Sequence, residues 1–121
     1  MRITRKCSGD LHAHSLAKYD SNGFLVAYDN VGDVAGIVSQ CRDEVITVND
    51  IEETHHVCSL VYKDIGTCRV SGTVSAQGSI AYSDGIRVCA TGTNEIGYIL
   101  PKSFPHTSDY QDGDIAQVLL K

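Results

Sequence analysis

The sequence predicts an all-β protein, a small β-barrel or sandwich made of two pseudo-symmetric strand-rich halves, with little or no helix. Three observations carry that expectation. Residues 67–75 alternate with period two: Cys68, Val70 and Val74 fall on one face, and Thr67, Arg69, Ser71, Thr73 and Ser75 on the other. That is the pattern of a strand with one wet side. Short runs rich in Val, Ile and Tyr recur along the chain, separated by Gly, Asn and Asp clusters that favour turns. One order of turn, strand and glycine-containing strand is read twice.

Taken in order, residues 1–8 are basic through Arg2, Arg5 and Lys6 and read as an N-terminal arm, followed by one β domain over 9–121. Strands are expected at 24–28, 34–39, 45–48 and 57–62. Residues 49–54 (NDIEET) have a capping residue and two acids, which predicts one short helical turn. Further strands are expected at 67–75, 86–90, 96–100 and 115–120, with a crossover at 72–79. The polar stretch 101–113 contains both prolines and reads as a surface loop.

The repeat sets residues 23–27 against 85–89, 34–38 against 95–99, and 56–63 against 114–121. The offset falls from 62 to 61 to 58, so every gap lands in a turn. The halves are then 9–63 and 72–121, packed around a shared core.

Composition narrows the function classes. The chain has 121 residues, enough for one domain or two very small halves, and no Trp, so Val, Ile, Leu, Ala and Tyr must fill the core. A net charge of −5 disfavours broad contact with a phosphate backbone. The five cysteines are odd in number and lack a CxxC pair, which predicts reduced thiols acting as small core hydrophobes. No apolar leader follows Met1, and no run approaches the roughly 20 apolar residues of a membrane span. Neither membrane nor nucleic acid is an expected partner.

Candidate chemistry is sparse. His12 and His14 share a face of any strand, and His55, His56 and Cys58 offer more metal-binding atoms. Their spacing fits no zinc finger or ribbon, so exposed histidines and no metal are expected. Residues 109–114 (DYQDGD) are rich in oxygen but lack the alternating ligands and late Glu of a calcium loop, so a turn is expected. There is no nucleophile elbow and no phosphate-cradling loop. Neither an enzyme nor a bound cofactor is expected. Tyr28, Tyr82, Tyr98 and Tyr110 sit beside acidic or neutral neighbours, which suits packing better than base stacking.

Residues 72–88 (GTVSAQGSIAYSDGIRV), 94–99 (NEIGYI) and 113–120 (GDIAQVLL) resemble, in that order, the small β-barrel domain of tailed-phage capsid decoration (cement) proteins. The resemblance covers about 50 residues well, and the first half more loosely through the repeat. The family pattern has one such unit where this chain has two. The resemblance implies a structural protein on the outer face of a virion, folded in the host cytoplasm. It would bind the major capsid protein and form a homo-oligomer, trimer or dimer. Arg2, Arg5 and Lys6 would then be capsid-contact residues, with the 101–113 loop as a second contact.

Overall fold

A computed structural model describes residues 2–9, 11–103 and 108–121. All secondary structure among them is β: β1 (Arg2–Lys6), β2 (Ser15–Tyr19), β3 (Leu25–Ala27), β4 (Gly36–Val48), β5 (Ile51–Val61), β6 (Ile65–Arg69), β7 (Ser79–Asp84), β8 (Arg87–Cys89), β9 (Glu95–Ile99) and β10 (Ile115–Leu120). They form two five-stranded antiparallel sheets, ordered β1-β5-β4-β2-β3 and β6-β10-β9-β7-β8. Counting strands from the start of each half, the two orders are the same.

Each sheet curls until its edges meet. Cys7, just beyond β1, bridges Leu25 of β3, and Val70, just beyond β6, bridges Val88 of β8. Two small barrels result, and their interiors correspond position by position. Cys7, Leu11, Ala17, Leu25, Val38, Cys58 and Leu60 are buried in the first; Val70, Val74, Ala81, Val88, Ile99, Ala116 and Val118 are buried in the second. Leu16, Tyr28 and Ile37 of the first barrel join Cys68, Ile96 and Leu120 of the second in one apolar cluster. Across this seam the Arg69 amide donates to the His14 carbonyl at 2.9 Å, and Asn94 Nδ2 donates to the Tyr28 hydroxyl at 2.6 Å.

Glycine fixes the closest strand approach in both barrels. A Cβ on Gly36 would strike the Val61 carbonyl oxygen, and one on Gly97 would strike that of Leu119. The four residues are equivalent under the repeat, so both barrels pinch at the same place.

Several expectations need correction. Residues 49–54 form no helical turn: Asn49 and Asp50, at φ 52° and 62°, make a two-residue connection joining β4 directly to β5. Positive φ at both central residues gives the type I′ turn that matches strand twist, and Asn and Asp tolerate it. The nine-residue strand at 67–75 ends at Arg69, because Gly72 turns the chain at φ 73°. β1, β2 and β7 lie outside the expected strands. The sequence repeat is one residue out at β3 and β8, where Leu25 is matched by Val88 and not Arg87. The β2–β3 connection is longer than the β7–β8 turn, so aligning their glycines misaligns the strands after them. Within the expected loop 101–113, residues 104–107 lie outside those described.

Candidate docking hairpin and the cysteine–histidine cluster at its root

The halves differ most in β4 and β5, which are 13 and 11 residues long where their counterparts β9 and β10 have 5 and 6. β2 pairs only with Gly36–Val38, and β1 only with Val57–Val61. Among the described residues, Gln40–Val48 of β4 and Ile51–His55 of β5 therefore pair with each other alone. The ribbon runs about 20 Å from Arg42 to its tip at roughly 3.3 Å per residue.

Cross-strand partners share a face. Val48 pairs with Ile51 and Ile46 with Glu53, which puts three aliphatic side chains side by side; Val45, paired with Thr54, lies on the opposite face. Val48 and Ile51 are 61% and 64% exposed, Ile46 43% and Val45 63%. Around them stand Asp43, Glu44, Asp50, Glu52 and Glu53 against the single cation Arg42. Arg42 pairs with Glu44 at 2.7 Å and His55 with Glu53 at 3.1 Å. Such exposed pairs contribute little to stability.

Three sulfurs and an imidazole gather at the root of this ribbon. Cys7, Cys41, Cys58 and His56 each offer a ligand atom, and these atoms lie within 4.8 Å of one another. Cys41 and Cys58 are cross-strand partners, and His56 is two residues from Cys58 on the same face of β5. Cys7 is drawn alongside by its amide, which donates to the His56 carbonyl at 3.0 Å. A β-bulge decides Cys41's place. The β4–β5 register slips between Val38 and Gln40, leaving Ser39 as the extra residue. That slip returns Cys41 to the interior face shared by Val38; regular alternation would have turned it outward.

Cys7 and Cys58 form a disulfide, so the expectation of reduced thiols fails for this pair. Cys41 keeps its thiol, with Sγ 2.9 Å from Cys58 Sγ and 3.2 Å from the Leu11 carbonyl oxygen. Burial raises the Cys41 pKa. His56 Nδ1 lies 2.7 Å from Asp43 Oδ1, while its Nε2 is buried without a hydrogen-bond partner among the described residues.

The other sequence candidates disperse. His14 Nδ1 meets Thr67 Oγ1 at 2.8 Å across the barrel seam, away from the cluster. Asp109 and Asp112 accept hydrogen bonds from the backbone amides of Ala76 and Gly72. Asp114 accepts one from the Gln111 amide, so all three carboxylates support turns. Arg2, Arg5 and Lys6 belong to β1, in register with Val61, Cys58 and Val57. They are exposed on an edge strand, with Lys6 Nζ 5.0 Å from the centre of the Phe24 ring. The segment expected as an arm is thus laid along β5 from Arg2 to Lys6.

Sequence spacing hid the cluster, because its ligands come from β4, β5 and the residue just beyond β1, and Cys7 lies more than 30 residues from the others. The usable signal was the departure from the repeat, with Cys7 and Cys58 standing where the second half has Val70 and Ala116. No helix among the described residues is long and apolar enough to cross a membrane. Compared with family models, curated proteins and solved structures, the chain matches none.

Proposed function

We propose that the chain is a non-catalytic structural protein that decorates a larger protein shell, docking through the β4–β5 hairpin, and that the shell is a phage capsid. One observation carries the docking reading: an aliphatic stripe of Ile46, Val48 and Ile51 on a ribbon that no other described strand covers. Exposed apolar side chains rimmed by charge are a usual mark of an interaction surface. A two-stranded ribbon also offers backbone and side chains together to a groove or sheet edge. The carboxylates around the stripe call for a basic partner surface with an apolar recess. The capsid itself rests on the resemblance of residues 72–120 to decoration proteins.

The two-barrel body suits the role. Its core side chains fill two pinched interiors and one seam, and the hairpin extends from the first of these barrels. Many copies on a repetitive surface add modest individual affinities into substantial shell stabilisation. Arg2, Arg5 and Lys6, on the edge strand beside β5, are a second contact in this proposal and would meet acidic patches.

The test is co-sedimentation of the purified chain with tailed-phage shells assembled from major capsid protein. Saturable binding of many copies per shell, with a raised shell melting temperature, is expected. Absence of binding to both immature and mature shells would refute the capsid assignment.

A further inference from the structure

We propose that Cys7, Cys41, Cys58 and His56 Nε2 bind one Zn²⁺ ion at the root of the hairpin. The disulfide accounts for only two of these four groups. It leaves the Cys41 thiol against the Cys58 sulfur and a buried imidazole nitrogen with nothing to bond, which is costly. A metal ion accounts for all four. Three thiolates and one imidazole in tetrahedral array make a structural zinc site, with no position left open for substrate.

The surroundings fit. Asp43 engages Nδ1, the arrangement that leaves Nε2 as the lone-pair nitrogen and orients the ring as a ligand. Ligand atoms in tetrahedral zinc sites stand about 3.8 Å apart, so a group already within 4.8 Å needs only small side-chain adjustments. Three thiolates and Zn²⁺ leave one net negative charge on the site. The second barrel supplies the contrast: Val70 and Ala116 fill the places of Cys7 and Cys58 with ordinary aliphatic packing. The first barrel departs from this only at the foot of the long ribbon. A lone two-stranded ribbon is marginally stable in water, and an ion tying β1, β4 and β5 together would brace it.

The zinc form arises from the dithiol state. An external dithiol reduces the Cys7–Cys58 bond and becomes a disulfide itself, and the three thiols then release their protons to solvent as the metal binds.

The experiment uses the full chain purified with a thiol reductant and no chelator, with metal content measured and Co²⁺ added as a spectroscopic probe. One zinc per chain is expected, along with the visible absorption of a tetrahedral, sulfur-rich Co²⁺ site. Cys41→Ser and His56→Ala should each abolish tight binding, and Asp43→Asn should weaken it about 10- to 100-fold. Cys89→Ser, remote from the cluster, should keep full stoichiometry. Co²⁺ titration of the unaltered chain needs no variant to fold. Reduced wild-type protein that binds neither Zn²⁺ nor Co²⁺, or a Cys41→Ser, His56→Ala double variant that keeps its zinc, would overturn the proposal.

Discussion

Replacing Ile46, Val48 and Ile51 together by Thr removes the aliphatic stripe while keeping β-branched shape and strand preference. These side chains are 43%, 61% and 64% exposed. Burying a fully exposed Val or Ile contributes about 1.5–3 kcal/mol. Scaled by exposure, the three together offer about 2.5–5 kcal/mol to a partner that covers them. Losing that contribution weakens binding by at least roughly 50-fold. Val45→Thr, on the opposite face, should weaken it by less than about 10-fold, since a single partly covered Val offers about 1 kcal/mol. Neither change touches the cores, so unfolding free energies should stay within about 0.5 kcal/mol of wild type. The assay is a binding isotherm on assembled shells, paired with thermal melts of the free chain. A triple variant that binds within about threefold of wild type would refute docking by this face, as would equal losses from the two faces.

Other outcomes concern the body of the molecule. Gly36→Ala and Gly97→Ala should each destabilise the fold by about 1–3 kcal/mol in chemical denaturation, because each methyl meets a carbonyl of the neighbouring strand; unchanged stability in both would show that the barrels do not pinch there. Burial pushes the Cys68 thiol up to about 12, so in the native state it should resist alkylation at about pH 8 and react only on unfolding. Rapid native labelling at Cys68 would contradict the barrel seam. Lys18 Nζ, 2.7 Å from Asp29, lies first among the groups holding that carboxyl below its ordinary 3.8. The stabilisation is therefore present above 3.8 and lost as pH falls through the lowered folded value. Lys18→Met should move the Asp29 midpoint upward toward 3.8 by NMR titration, and an unmoved midpoint would contradict the pairing.

The fold was legible where local pattern and burial agree. Alternation and turn residues located β3 and β8–β10 to within a few residues and the second half of β5, and the repeat pointed to two strand-rich halves. The elements that escaped depend on pairing at a distance. Arg2–Lys6 has no apolar alternation and becomes a strand only because β5 offers it a partner. Asn49 and Asp50 suit a helix cap as well as a tight hairpin, and the pairing of Val48 with Ile51 decides between them. The cluster was hidden for the same reason. His56 and Cys58 are visible as neighbours, but Cys41 joins them through the bulge at Ser39, and Cys7 through barrel closure onto Leu25.

The claim that the hairpin is the docking element is tested most directly by an electron cryomicroscopy reconstruction of shells incubated with the chain. Docking through the ribbon predicts regular copies on the outer surface, each with Val48 and Ile51 seated in a recess of the shell protein and both barrels standing outward. Bare shells, or copies bound through the body with the hairpin tip in solvent, would contradict it.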